Sequence, residues 1–169
     1  MSGVKKCFGT SIYLMGNILT PEQCEYLRKE IDSVGEHQVI ITMPLLSNQL
    51  WGFIRDKISA MTFRDELRNK SFRIMGIGSD MTMTRAYSPL GKHKDRADAG
   101  VFFKLAFYLN DLSRGGGTNF YDGENITPVE NKMGRGILFD ISLEHGSQSF
   151  PSGETKYMLG ARPIISYTQ

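Results

Sequence analysis

Hydrophobic positions divide the chain into two regimes. In TPEQCEYLRKEIDSV, Cys24, Leu27, Ile31 and Val34 recur at spacings of three and four, the stripe of an amphipathic helix. Thr20 stands at the N-cap position, Pro21 at the first helical residue and Gln23 in the capping-box place, which predicts a start at Pro21. A second helix is predicted from Gln49 to Met61, with Leu50, Ile54, Ile58 and Met61 on one side. Between them GEHQVIITMPLLSNQ is a loop with some extended character, and His37 inside it is a surface or loop histidine. Ahead of both helices, Ile12 to Met15 forms a first strand.

From Phe72 onward the period changes. SFRIMGIG, DMTMTRAY, VFFKLAFYLN, TNFYD, GILFDI, SQSF and KYMLGARPIISY are short, aromatic and β-branched, with Gly, Pro, Asn and Asp between them. Such a run predicts a two-sheet sandwich or barrel with the helices on one outer face. The expected fold class is mainly β with N-terminal helices: one jelly-roll domain over residues 1–169, helical support about 20–70 and β core about 71–169. Alternation assigns faces. Phe103, Leu105, Phe107 and Leu109 share the side under the helices, and Tyr108 points the other way. On the last segment Lys156 and Met158 share one face, Tyr157 and Leu159 the other. Arg162 has the parity of Lys156 but lies six residues on, roughly 20 Å along a strand, and reads as an exposed arginine at a bulge before Pro163.

Composition narrows the partners. The formal net charge of +2 gives no reason to expect nucleic acid or a membrane, and Lys92, Lys94 and Arg96 read as a solvated loop. No stretch approaches the ~18 apolar residues of a membrane span. The basic pair near the start precedes an apolar run broken by Gly, Thr, Ser and Asn with no small-x-small site, so a strand is expected there and a cytoplasmic location. Cys7 and Cys24, in no metal-binding spacing, are expected to be reduced and partly buried.

The candidate chemistry rests on two of the three histidines and one aspartate. His93 and Asp95 are alternate residues of an extended segment, so both side chains can reach one ion. His145 lies fifty positions beyond Asp95 and must come from another strand. Two imidazoles and one carboxylate occupy one face of an octahedral metal and leave three positions open, the arrangement of non-haem Fe(II) oxygen chemistry. A lysine at position 156 pointing into a small barrel is costly unless an anion meets it, and a dicarboxylate would do so.

The segment from Arg85 to Tyr167 resembles the catalytic core of Fe(II)/2-oxoglutarate-dependent dioxygenases, most of all the prolyl 4-hydroxylase branch. RAYSPLGKHKD is similar to that branch's Arg-x-Tyr strand leading to His-x-Asp, and FYLND with GGGTNF to its Tyr-Leu-Asn strand and glycine hairpin. PVENKMGRGILFD and HGSQSFPSGETKY resemble the segments that carry its Gly-x-x-hydrophobic-Phe run, distal histidine and anchoring lysine. The resemblance implies a double-stranded β-helix with His93, Asp95 and His145 as ligands of Fe(II). It also implies 2-oxoglutarate held by Lys156 with Tyr108 and Thr118, Tyr87 beside the chelated end, O2 as co-substrate, and room for ascorbate. Two features depart from the branch. Lys156 follows His145 by eleven positions, one more than is usual, and the Tyr87–His93 linker is short.

The expected activity is hydroxylation of an unactivated C–H bond, with a peptidyl proline first and a free amino acid or other small metabolite second. Specificity is expected in the Gly35–Gln49 and Ser88–Gly100 segments. Nucleic-acid dealkylation is disfavoured because the second arginine it would need, six residues after Arg162, is Thr168. A non-catalytic jelly-roll binding module would account for the strands but not for the triad with an inward lysine. The expected assembly is a monomer or weak homodimer.

Overall fold

The capping box at Thr20 sets where the helical layer begins. In the computed structural model, which describes residues 4–6, 12–35, 37–96 and 101–168, the Gln23 amide donates to Thr20 Oγ1 at 3.3 Å and the Thr20 amide to Gln23 Oε1 at 2.9 Å. Cys7 and the 97–100 part of the Ser88–Gly100 segment lie outside the described residues. In chain order the elements are β1 Val4–Lys6, β2 Ile12–Met15, α1 Pro21–Val34, β3 Gln38–Thr42, α2 Pro44–Ile58, β4 Phe63–Asp65, β5 Lys70–Ala86, β6 Phe103–Tyr108, β7 Thr118–Asp122, β8 Asn125–Val129, β9 Gly136–Asp140, β10 Glu144–Ser147 and β11 Lys156–Tyr167.

These strands form two antiparallel sheets. The larger runs β1-β2-β9-β6-β11-β5-β3, with β4 also paired to β5, and the smaller runs β10-β7-β8. One apolar core joins the helices to the larger sheet: Leu27, Ile31, Leu50 and Ile54 meet Phe103, Leu105, Phe107 and Leu109. A second core lies between the sheets, built from Ile12, Ala106, Tyr108, Phe120, Val129, Ile137 and Phe139. Strand β6 feeds both, because alternate side chains leave opposite faces. Cys24 is fully buried in the first core with a free thiol, deeper than the partial burial expected for it. No helix among the described residues is long and apolar enough to cross a membrane.

Several elements differ from the sequence pattern, each for a physical reason. The second helix starts at Pro44, five residues ahead of Gln49, because proline suits the first helical turn. Its buried Ser47 hydroxyl donates towards Ile77 O (3.2 Å) and Gly78 O (3.0 Å), fastening α2 to β5. The stretch between the helices is the edge strand β3, paired to β5 from Gln38 to Thr42. SFRIMGIG and DMTMTRAY are one 17-residue strand, β5, running through Ser79 and Asp80 without a turn. The segment expected as SQSF begins earlier, at Glu144, and β4 and β8 are additional. Strand β8 contains Pro128, which the outer position of a small sheet tolerates.

Gly134 ties the start of the helical layer to the sheet. It has φ 78°, donates its amide to Tyr108 O, and accepts from the amides of Ile18 and Leu19. A methyl group there would lie 2.4 Å from the Leu19 carbonyl oxygen. Gly134→Ala is therefore expected to cost about 2–4 kcal/mol, the sum of a left-handed residue and a backbone clash. A lowered urea midpoint at unchanged m-value is the readout; an unchanged midpoint would contradict the account.

Candidate metal centre and its cavity

An isolated β-bridge joins His93, in the segment after β5, to His145 on β10. Each amide donates to the other's carbonyl at 2.8 Å, so the segment after β5 is zipped to β10 and the rings stand 4.5 Å apart. Both Nδ1 atoms are committed locally. His93 Nδ1 lies 2.8 Å from Gly91 O, and His145 Nδ1 lies 3.0 Å from Leu143 O. A carbonyl only accepts, so each Nδ1 carries the proton and each Nε2 keeps a lone pair. Burial holds the His145 imidazole below its ordinary pKa, against the upward pull of the Leu143 carbonyl and Asp95. The ring sits against Phe139 and Phe120, and its neutral form is the one that ligates.

Asp95 completes the group. Its Oδ1 accepts from Lys104 Nζ at 2.9 Å. Its Oδ2 is buried without a hydrogen-bond partner among the described residues and lies 3.7 Å from His145 Nε2. Ligand atoms of His93, Asp95 and His145 lie within 4.8 Å of one another. A buried carboxylate oxygen left without a donor is costly. Two imidazole lone pairs aimed at the same place supply no proton to it, whereas a divalent cation satisfies all three donors. The donor set fits a metal, and two imidazoles with one carboxylate fit Fe(II).

His93 and His145 lie on the wall of a cavity of about 420 Å³, with Asp95 held beside them by its contacts with His145 and Lys104. The same cavity is lined by Lys156, Thr118, Ser147, Lys104, Met158 and, at the mouth, Tyr87, His37, Ser88 and Leu90. Lys156 is 1% exposed, and burial lowers its pKa to about 8. Its ammonium donates to Gly117 O and Ser147 Oγ, both at 3.3 Å, and lies 5.5 Å from the Tyr108 ring centroid. Among the described residues no carboxylate forms an ion pair with it. The Tyr108 hydroxyl and Thr118 Oγ1 share a hydrogen bond of 2.7 Å, and burial pushes the phenol's pKa up. Tyr87 is 52% exposed and meets the edge of His37 at 5.0 Å.

The structure thus brings His93, His145, Lys156, Thr118 and Tyr87 to one cavity, with Asp95 beside the two histidines and Tyr108 buried behind Lys156. Arg162 is not part of the lining; it sits at a register shift between Ala161 and Pro163, its guanidinium 4.0 Å from Asp80. Three cavity residues were not singled out from the sequence. Ser147 has the parity of His145 on β10, and Lys104 has the parity of Tyr108 on β6, so alternation carried a signal for both. His37 had no such signal, since its position depends on the pairing of β3 with β5.

No protein-family model matches the sequence, and no curated protein matches it. Solved structures do match. A Pseudomonas putida prolyl-4-hydroxylase superposes with a TM-score of 0.60 at 13% identity, over 92% of both chains. A Trichoplax adhaerens prolyl hydroxylase, in complex with a hypoxia inducible factor oxygen degradation domain peptide fragment, gives 0.62 at 12% identity, over 92% of this chain and 84% of that one. A non-heme α-ketoglutarate-dependent epimerase from nogalamycin biosynthesis gives 0.59 at 14% identity, over 94% of this chain and 80% of that one. The fold is the one these proteins share, mostly β with antiparallel sheets in a jelly roll.

The buried ammonium makes stability depend on pH. An unfolded lysine titrates near 10.5, whereas Lys156 in the fold titrates at about 8. The folded state therefore carries a penalty for its charge that is full below about pH 8 and disappears as pH rises towards 10.5. Lys156→Met should stabilise the metal-free protein at pH 7, and that advantage should shrink at pH 9.5. Urea midpoints of both proteins at the two pH values test this; an advantage that grows with pH would contradict it.

Proposed function

We propose that this chain is an Fe(II)- and 2-oxoglutarate-dependent dioxygenase that hydroxylates an unactivated C–H bond, with a peptidyl proline as substrate. The observation that carries the reading is a pairing within one cavity. Among the described residues, a carboxylate oxygen without a donor stands beside two imidazoles that line the cavity, and a buried lysine without an acid lines it with them.

In this reading His93, Asp95 and His145 would hold iron, the two imidazoles offering Nε2 and Asp95 offering Oδ2. Iron there would supply, with 2-oxoglutarate and O2 as co-substrates, the oxidising power for hydroxylation. The residues of the chain place and shield. The carbonyls of Gly91 and Leu143 keep each imidazole in the tautomer that ligates. Lys156 meets the far carboxylate of 2-oxoglutarate, exchanging a charge penalised by burial for a charge-assisted hydrogen bond. The Thr118 and Tyr108 hydroxyls, already bonded to each other, add a polar contact beside it. Phe120 and Phe139 keep water from the His145 side. Tyr87, His37 and the Ser88–Leu90 segment stand at the mouth, where a substrate enters, and specificity is assigned to them.

A peptide substrate is supported by the similarity to prolyl hydroxylases, one of them holding a peptide fragment. A small-molecule substrate is the second reading, favoured by the short Tyr87–His93 linker and by the similarity to an epimerase of a biosynthetic pathway.

Anaerobic Fe(II) titration with 2-oxoglutarate tests the reaction class: the weak visible charge-transfer band of the chelate is expected, and its absence at saturating ligand would refute it. A panel of peptides and metabolites, read for a mass gain of one oxygen atom, separates the two substrate readings. His93→Ala or His145→Ala should abolish turnover and weaken Fe(II) binding at least ~10-fold. Lys156→Ala should weaken 2-oxoglutarate binding ~10-fold or more, and Arg162→Ala less than about threefold. The reverse order of these last two would assign the anchor to Arg162.

A further inference from the structure

We propose that Lys104 is a positioning residue. It occupies Asp95 Oδ1 and so leaves Oδ2 as the only oxygen that carboxylate can offer a metal. The inference rests on the metal centre proposed above and concerns how many positions on the ion stay open.

Lys104 lies on β6 with the inward parity of Ala106 and Tyr108, and its stem must cross the neighbouring strand β11 to reach Asp95. Gly160 makes the crossing possible. A methyl group at Gly160 would lie 2.8 Å from Lys104 Cε and 3.3 Å from Thr82 Cβ, so the missing side chain is the channel through which the lysine passes. At the end of that channel Nζ is 2.9 Å from Oδ1, with the lysine side chain 19% and the aspartate side chain 18% exposed. The two oxygens of one carboxylate are thereby unlike: one neutralised by an ammonium, the other without a partner and turned towards His145.

An unrestrained carboxylate can bind a divalent ion through one oxygen or through both. With two imidazoles and one oxygen, three of six octahedral positions remain. With both oxygens bound, two remain, and these are filled by a two-point chelating co-substrate with nothing left for O2. Lys104 prevents that loss by holding Oδ1 away in its own charge-assisted hydrogen bond. An ion pair that only anchored the segment after β5 would not change the number of positions open on a bound metal.

The test uses Mn(II) alone, with no co-substrate, on the apo forms of the full chain and its Lys104→Met, Lys104→Arg and Gly160→Ala variants. Mn(II) affinity is measured first, then the longitudinal relaxation of water protons per bound ion, which counts coordinated water. Wild type should show three water positions, and Lys104→Met should fall to roughly two thirds of its relaxation per ion. Lys104→Arg, which keeps the cation, should restore the wild-type value. Gly160→Ala should give an intermediate value, because the clash falls on the flexible end of Lys104 and moves it without unfolding the strand. Equal relaxation per ion in wild type and Lys104→Met overturns the proposal. If Lys104→Met does not fold, Gly160→Ala carries the comparison: a fall supports the proposal and an unchanged value overturns it. Failure of wild type to bind Mn(II) would remove the metal centre itself, an outcome separate from unchanged relaxation at full occupancy.

Discussion

Two backbone hydrogen bonds, between His93 and His145, make the site. They join a segment leaving the larger sheet to a strand of the smaller one, and they place both imidazoles by main-chain geometry before either side chain contributes. Asp95 then falls two residues beyond one anchor and Ser147 two residues beyond the other, each with the parity of its histidine. The carbonyls two residues earlier, of Gly91 and Leu143, fix the tautomers by the same repeat. The site is therefore a consequence of one antiparallel bridge with an i−2 and i+2 pattern on either side. Any change that slips this bridge by a residue would turn ligands outward on both sheets at once.

Register also separates the two cations of β11. Lys156 pairs with Ala86 and faces the cavity, whereas Tyr157 and Leu159 pack towards the helices. The ladder to β5 then shifts between Ala161 and Pro163, where proline has no amide to donate. Everything before the shift keeps the cavity register and everything after it is released from it. Arg162, at the shift itself, ends beside Asp80. The turn region at residues 151–155 ends where β11 begins, at Lys156.

Much of this was legible in the chain, and what was not has a common cause. Patterns carried by neighbours could be read: the capping box at Thr20, the stripe of α1, the two faces of β6 and β11, and His93 with Asp95. Features set by a distant partner could not. Strand β3 has only five residues, three of them exposed, and owes its form to β5. Pro128 argues against a strand until β8 is seen at a sheet edge. The glycines and Ser79 inside β5 read as a turn, but partners on both sides keep it extended. Lys104 was passed over because its meaning depends on Gly160, fifty-six positions away, which is an ordinary strand glycine until the stem crossing it is known.

The cavity's two lysines divide the electrostatic task. Lys104 has an acid and forms a neutral pair with Asp95; Lys156 has none and retains an uncompensated charge in a buried place. A divalent cation at the triad adds positive charge to a cavity that already carries a surplus, so metal alone is opposed there. A dicarboxylate alone meets Lys156 but leaves its second carboxylate beside Asp95 without a counter-charge. A metal held by the triad would, on the proposed reading, offset one end of the anion and Lys156 the other, so that each removes the objection to its partner. On the proposed reading, metal and co-substrate affinities are therefore coupled, and linkage requires the coupling to be equal in both directions. The asymmetry between a paired and an unpaired lysine is what produces it. If Lys156 had an acid of its own, the cavity would accept metal more readily and lose the means to hold the anion.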